Sequence, residues 1–205
     1  MKPWDEYLPD ELDGRVRYQL LTSLVVPRPI GWLGTRSAAG HDNLAPFSYF
    51  AALSASPMLV GVSIGHRRTG PKDSLANIRA TGGFTVNVVD VDHLEAMNAS
   101  SASAAPEVDE FALAGLEKAE AERIGAPYVA GAPAVLECRL EREVDLGDAP
   151  NTLVIGRVVA VRVRAGLPRI PDTEFVDTME LRPVGRLWGP AYLLPGEIVT
   201  RPRPD

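Results

Sequence analysis

Ile30-Gly31-Trp32-Leu33-Gly34-Thr35 is the apolar run that decides the fold, and two further runs follow it. The turn after it contains Gly40, which can take a positive φ, and leads into the second run, residues 43–50. Pro46 interrupts this second run, and because proline has no amide hydrogen for a sheet ladder, the strand belongs at a sheet edge or a bulge. The third run covers residues 59–64. Three such runs separated by turn residues predict antiparallel strands.

A helical pattern follows the third strand at residues 72–82. Asp73 or Ser74 can cap its start, and Gly82 can end it. The free amides at a helix N-terminus carry partial positive charge, so this end of the helix favours an anion.

Basic residues are concentrated around the same helix start. Residues 14–89 contain eight Arg or Lys and two acidic residues, although the whole chain has a net charge of −6. Arg67, Arg68 and Lys72 lie in the turn before the helix. Cations in turns that border apolar strands fit either a solvated surface or a small anionic ligand. Together with the helix start, they predict a phosphate site.

The last third of the chain is strongly β. Residues 134–146 alternate apolar and polar side chains, as a half-buried strand does. A turn is predicted at residues 147–151, and residues 153–163 return as the second strand of a hairpin. Six or more strands with few helices favour a small antiparallel barrel.

The two ends of the chain give weaker patterns. Residues 1–14 are expected to form an irregular arm held down by Trp4 and Tyr7. Near the other end, Trp188 and Tyr192 are expected to close the sheet as core or interface aromatics.

Length and composition fit a single globular domain. A chain of 205 residues can bury a full core, and its 45% hydrophobic and 23% charged residues are ordinary for such a protein. We predict one domain over residues 1–205, with a core at 20–192 between two terminal arms. No run approaches the roughly 18 apolar residues of a membrane helix, and no apolar signal core follows Met1. A cytoplasmic location without membrane attachment is therefore expected.

Several classes of function are disfavoured. The acidic total and the lack of a basic stripe interleaved with aromatics argue against nucleic acid. The single cysteine, Cys138, excludes an internal disulfide, and the three histidines show no ligand spacing with it, so no metal site is predicted. Cys138 is expected to be an inert core thiol. No Gly-x-Gly-x-x-Gly fingerprint, Walker-type loop or Gly-x-Ser-x-Gly elbow occurs.

Four motifs, in this order along the chain, resemble the flavin reductase-like family of FMN-binding split barrels. They are Pro27-Arg28-Pro29-Ile30-Gly31-Trp32, Asn43-Leu44-Ala45-Pro46-Phe47-Ser48, Lys72-Asp73-Ser74-Leu75-Ala76-Asn77-Ile78 and Gly83-Phe84-Thr85-Val86-Asn87. The resemblance implies a mainly β fold, a six-stranded antiparallel split β-barrel of Greek-key topology with a few short helices. It also implies a homodimer whose FMN lies in a groove near the interface.

The resemblance further implies which residues contact the cofactor. Along the isoalloxazine ring, largely through backbone groups, it places Thr35, Asn43, Leu44, Ala45, Pro46, Phe47 and Ser48. Around the phosphate it places Ser63, Arg67, Lys72 and Ser74. Arg68 is added from charge alone, and which of His66, Arg67, Arg68 and Thr69 reaches the phosphate is left open.

For two residues of the first motif, the sequence predicts whether the side chain is exposed or buried. Arg28, between two prolines, is expected to be an exposed loop charge, with contact to the ligand or to a partner subunit as the alternative. Trp32, at strand spacing, is expected in the core rather than as a stacking platform.

The function implied by the resemblance is an FMN-dependent oxidoreductase, an NAD(P)H:flavin reductase-like enzyme that moves a hydride from nicotinamide to flavin N5. Because the cofactor performs this step, no general acid or base is required and no catalytic residue is predicted. One alternative is a flavoredoxin-like FMN-binding electron carrier that does not react with nicotinamide, and another is a flavin-free barrel with a structural or interaction role. The choice of NADH or NADPH, the electron acceptor and the presence of a monooxygenase partner are left open.

Overall fold

The computed structural model describes residues 4–68, 70–147, 150–202 and 204. Thr69, one of the candidate phosphate contacts, lies outside these residues. So do Asp148 and Ala149 of the turn predicted at 147–151. All structural statements below concern the described residues.

The main element is a seven-stranded antiparallel sheet with the strand order β3-β2-β6-β9-β10-β5-β4. Its strands are β2 (Gly31–Arg36), β3 (Asp42–Phe47), β4 (Phe50–Ala55), β5 (Met58–Gly65), β6 (Gly83–Asn87), β9 (Ala134–Asp145) and β10 (Asn151–Val163). A second sheet pairs β7 (Lys118–Glu120) with β8 (Pro127–Val129), and a third joins β1 (Arg28–Pro29), β11 (Gly185–Arg186) and β12 (Tyr192–Leu193). The α-helices are α1 (Gly14–Leu24), α2 (Asp73–Thr81), α3 (Leu94–Ala99), α4 (Glu110–Leu113) and α5 (Thr178–Leu181), and 3-10 helices cover Pro9–Glu11 and Val91–His93.

The mainly β fold with a few short helices is confirmed, but the main sheet has seven strands where the resemblance implied six. The additional strand is β4. The sequence pattern assigned no strand to residues 51–55, because residues 50–55 do not alternate between apolar and polar side chains. β3 and β4 lie at opposite edges of the sheet, yet only Ser48 and Tyr49 separate them in the chain, so the sheet must curl until its edges approach. The Ser63 amide of β5 donates to the Tyr49 carbonyl at 2.8 Å, which extends the β4–β5 ladder into this connection.

The two faces of β2 enter two different hydrophobic clusters. Leu33 packs in the cluster beneath α2 with Leu75 and Ile78, while Trp32 packs with Phe111 in the other. Both β2 side chains are fully buried. The prediction that Trp32 is a core residue is confirmed.

Cys138 belongs to the cluster beneath α2 and is fully buried. Burial raises the pKa of its thiol to about 12. A thiol that stays protonated and has no access to solvent is unreactive. This agrees with the predicted role as a packed core group.

The helix predicted at residues 72–82 is α2, and Gly82 ends it in the left-handed conformation with φ 71°. Its N-cap differs from the prediction. Lys72 occupies that position without a side-chain capping bond, and the Ser74 hydroxyl instead accepts from the Asn43 side-chain amide at 3.0 Å. The predicted cap residue is therefore used to join the helix to β3.

The predictions for the N-terminal arm and for Arg28 are wrong. Trp4 is 91% exposed and Tyr7 54% exposed, so neither holds the arm to the core. Arg28 is only 6% exposed, and its guanidinium donates to the Thr22 carbonyl of α1 at 2.7 Å and to the Leu187 carbonyl at 2.8 Å. Arg28 thus joins α1, the start of the main sheet and the C-terminal segment.

The C-terminal aromatics do not close the main sheet. Tyr192 lies in β12, which pairs with β11 in the small sheet that contains β1. Trp188 is 54% exposed. A short segment that carries two aromatics can pack on the main sheet without joining its ladder, and its sequence does not distinguish the two arrangements.

Candidate functional site

A cavity of about 160 Å³ lies between β3, the start of α2, the loop at residues 100–103 and α4. We call it the α2 cavity. Seven of the eleven predicted cofactor contacts line it, namely Asn43, Ala45, Pro46, Phe47, Arg67, Lys72 and Ser74. The structure therefore brings the ends of two motifs, separated by about thirty residues in the chain, to one place.

A second cavity, of about 220 Å³, adjoins the α2 cavity, since Pro46 and Ser101 line both. We call it the β11 cavity. Its other lining residues are Tyr18, Ile30, Ser48, Met97, Asn98, Arg186 and Tyr192. It includes Ser48, an eighth predicted contact, and β3 therefore passes along both cavities.

Lys72 brings a positive charge without a paired acid into the α2 cavity. Its Nζ lies 5.4 Å from the centroid of the Phe47 ring, and no carboxylate of a described residue lies within ion-pair distance. Burial lowers the pKa of Lys72, and the charge of Arg67 lowers it further. Both effects mean that the ammonium lacks solvation and a counter-charge, which a bound anion would provide.

The first amides of α2 add hydrogen-bond donors. Within the helix, bonding to the preceding turn begins with the Ala76 amide, which donates to the Lys72 carbonyl at 3.0 Å. The amides of Asp73, Ser74 and Leu75 have no acceptor among the described residues. Unpaired amides at a helix start form an anion-binding site. This end of the cavity fits a phosphate group.

Of the open candidates for a phosphate contact, Arg67 is the one that lines the α2 cavity among those described. It pairs with Asp73 at 2.7 Å, so part of its charge is already balanced. Arg68 is exposed. The His66 Nε2 lies 3.3 Å from the Thr152 hydroxyl.

Three predicted contacts lie outside both cavities. The Thr35 side chain is fully buried, and its hydroxyl accepts from the Asn77 side-chain amide at 3.1 Å. The Leu44 side chain packs in the core around Trp32, because alternate side chains of a strand point to opposite faces. Ser63 is half-buried on β5, opposite Leu153 of β10.

Glu110 is a site residue that the sequence pattern did not reveal. It lines the α2 cavity and is 5% exposed, and its carboxylate accepts from the Leu44 amide at 3.1 Å. Burial raises its pKa, although the hydrogen bond from Leu44 acts in the opposite direction. Glu110 begins α4, and the contact of this helix with β3 arises only in the folded chain.

The loop at residues 100–103 forms one wall of the α2 cavity. Ser100 anchors it, because its hydroxyl accepts from the Trp32 indole at 2.9 Å and donates to the Met97 carbonyl at 2.8 Å. Ser101 faces both cavities. A run of small polar residues gives no sequence signal for such a tertiary contact.

Neither a metal centre nor a membrane segment is visible in the part of the chain that the structure describes. No three or more His, Cys, Asp or Glu side chains there are grouped as metal ligands. No helix there has the length and apolarity to cross a membrane.

The curled antiparallel sheet with a cationic cavity at the start of α2 is the setting in which the chain can be compared with known proteins. A family model described as Flavin reductase like domain matches residues 23–173. The chain therefore belongs to this family of flavin-binding proteins, which confirms the resemblance seen in the four motifs.

Individual proteins agree with this assignment. An uncharacterised protein of Halalkalibacterium halodurans is 39% identical over 201 residues, which are 96% of this chain and 95% of that protein. The structure of nitrilotriacetate monooxygenase component B from Bacillus cereus is 33% identical with a TM-score of 0.93, covering 98% of this chain and 100% of that one. A split-barrel-domain protein of Shewanella frigidimarina is 25% identical with a TM-score of 0.84, covering 96% of each chain, and confirms the split-barrel fold.

Proposed function

We propose that the protein is an FMN-dependent oxidoreductase that transfers a hydride from NADH or NADPH to its flavin. The observation that carries this proposal is the cationic end of the α2 cavity. There, Lys72 and the unpaired amides of Asp73, Ser74 and Leu75 lie where β3 passes. An FMN phosphate supplies the charge that this group of donors lacks.

The remainder of FMN extends from the α2 cavity into the β11 cavity. Each cavity alone is smaller than the roughly 300–1,000 Å³ of pockets that hold ligands of this size, whereas the two together fall within that range. β3 runs along both and is an edge strand, so one side of its backbone is free of ladder bonds. The backbone groups between Asn43 and Ser48 that face away from β2, apart from the Leu44 amide bound by Glu110, are then available to the isoalloxazine ring.

The bound flavin supplies the redox chemistry, and the protein supplies binding and orientation. Lys72 and Ser74 hold the phosphate end, and the buried contact between Ser74 and Asn43 fixes α2 against β3. No side chain of this site is assigned a proton-transfer role. Thr35, Leu44 and Ser63 contribute through the packing that positions these strands rather than by side-chain contact.

We also propose a homodimer, a cytoplasmic location and an oxygenase that uses the reduced flavin. The last is supported by the Bacillus cereus protein, whose name makes it one component of a monooxygenase. The flavin would then leave the site or meet the partner at the exposed side of the β11 cavity.

Steady-state oxidation of NADH and of NADPH, each with added FMN, tests the proposed activity. We expect loss of the reduced nicotinamide absorbance that depends on both protein and FMN, and a preference for one of the two nicotinamides. Protein that retains FMN on desalting but oxidises neither nicotinamide would instead be an electron carrier. Protein that binds no flavin would exclude both functions.

A further inference from the structure

Arg186 is a charged group of the β11 cavity that the phosphate end of the site does not explain. It lies in β11, and its guanidinium stacks on the Tyr192 ring with 4.5 Å between the guanidinium carbon and the ring centroid. Two of its nitrogens donate to the Tyr192 hydroxyl and to the Gly189 carbonyl. The Tyr192 hydroxyl in turn donates to the Asn98 side-chain oxygen at 3.2 Å.

These contacts orient the guanidinium but leave its charge unbalanced. Both of its acceptors are neutral, and no carboxylate among the described residues lies within ion-pair distance. A guanidinium has five N–H groups, so several remain for a ligand. None of the described residues that line the β11 cavity is acidic, whereas the α2 cavity contains Asp73 and Glu110.

The two ends of the site therefore carry two separate positive charges. Lys72 stands at the start of α2, and Arg186 stands beyond the shared wall of Pro46 and Ser101. A ligand with its phosphate near Lys72 carries its ring towards Arg186. Hydride addition brings two electrons and one proton to a neutral oxidised flavin, and the donor leaves as oxidised nicotinamide. The reduced flavin then carries one negative charge, which lies on the N1 and C2 carbonyl edge of its ring.

We propose that Arg186 contacts this edge of the isoalloxazine ring and stabilises the reduced, anionic flavin relative to the oxidised one. The inference rests on the proposed function, because it requires FMN in the joined cavities. A fixed cation that faces the charge formed on reduction binds the product more tightly than the reactant. Arg186 thereby raises the reduction potential of the bound flavin and favours hydride acceptance.

The test compares the affinities of oxidised FMN and of anaerobically reduced FMN in the wild type and three variants. Arg186→Gln removes the charge and Arg186→Lys keeps it. Arg182→Gln is the matched control, since Arg182 is exposed, pairs with Asp92 at 3.1 Å and lies outside both cavities. The reduction potential of the bound flavin, measured by dye equilibration, independently reports the ratio of the affinities for reduced and oxidised FMN.

We expect Arg186→Gln to weaken reduced FMN about 10-fold more than oxidised FMN, which lowers the two-electron potential by about 30 mV. Arg186→Lys should recover part of this difference, and Arg182→Gln should show none. In the wild type, reduced FMN should bind more tightly than oxidised FMN, a comparison that needs no variant.

Equal affinity of the two forms in the wild type, or equal losses of both in Arg186→Gln, would overturn the role of Arg186 while leaving the proposed function intact. Absence of flavin binding in either state would remove the proposed function and this inference with it.

Discussion

Glu110 places a buried negative charge in the cavity that we assign to the phosphate. It has no cationic partner among the described residues. Burial raises its pKa, and the charges of Asp73 and Asp109 raise it further. For a carboxyl group whose pKa is raised in the folded state, the ionised form destabilises that state as pH rises through the shifted pKa. A bound phosphate adds to this repulsion, so FMN binding should take up a proton at Glu110.

Glu110→Gln should therefore tighten FMN binding at neutral pH. Glutamine keeps an oxygen that can accept from the Leu44 amide but removes the charge. The gain should be about 5-fold, the value of roughly 1 kcal/mol for two charges at contact in water. FMN titrations by fluorescence quenching between pH 5 and 8 measure it, and the difference between the two proteins should grow with pH. Weaker binding by Glu110→Gln, or parallel pH profiles, would show that Glu110 does not face the phosphate.

At the scale of elements, α1 is attached to the sheet mainly through Arg28. The α1 surface is largely exposed, and the Arg28 guanidinium bonds to the carbonyls of Thr22 and Val25 near the end of this helix. The same group reaches the Leu187 carbonyl in the C-terminal segment. One planar fork thus joins α1 to the C-terminal segment, which β1 also meets through its pairing with β11.

Arg28→Lys should loosen α1 without disturbing the main sheet. An ammonium cannot reproduce the fork, and loss of one or two charge-assisted bonds should speed amide exchange in α1 about 10- to 100-fold. Hydrogen exchange read by mass spectrometry resolves α1 from β9 and β10. Arg79→Lys is the control, because Arg79 lies on the surface of α2, away from α1, and pairs with Glu143 of β9. Equal loss of protection in α1 and in the sheet would contradict the assigned role.

The elements that the sequence predicted correctly are those whose signal is local. α2 has its stop at Gly82, and β9 has a nearly regular alternation before the hairpin turn, so the signal of each is present in its own sequence. β4 was missed because its residues lack alternation and gain their pairing only against β5. Arg28 was misjudged for the same reason, since its acceptors on α1 and at Leu187 become neighbours only after folding.

The same distinction between local and tertiary signals applies to the residues of the candidate site. Lys72, Ser74 and the β3 residues were predicted because each lies within a motif that is continuous in the chain. Glu110 and Arg186 were missed, since each comes from a segment that tertiary packing brings to the cavities. Strand alternation alone would have separated Leu44 from its neighbours, because its side chain must leave the face that Asn43 and Ala45 share.

At the scale of the whole molecule, several large apolar side chains near α1 and β4 are exposed. Leu21, Leu24 and Val25 are exposed at the end of α1. Leu21 and Val25 border a mostly apolar groove of about 550 Å³ that extends along β4. Trp188 is exposed near the other end of the chain. Contiguous apolar surface with aromatic anchors is typical of subunit interfaces.

We therefore expect a dimer in solution. Light scattering at micromolar concentration should give about twice the 22.1 kDa of the chain. Leu21→Asp should shift the protein towards monomer, because a buried unpaired charge at an interface is costly. Leu113→Asp, at an exposed leucine of α4, should leave the mass unchanged. A wild-type monomer that still binds FMN would exclude the dimer.

The central claim is that the start of α2 holds the phosphate of FMN, and titration of FMN and riboflavin against Lys72→Ala tests it most directly. Riboflavin lacks the phosphate, and Arg79→Ala on the same helix serves as the control. Charge-assisted hydrogen bonds are worth about 1.5–3 kcal/mol, so Lys72→Ala should weaken FMN roughly 10- to 150-fold and riboflavin very little. Equal losses for the two ligands, or unchanged FMN affinity, would contradict the assignment.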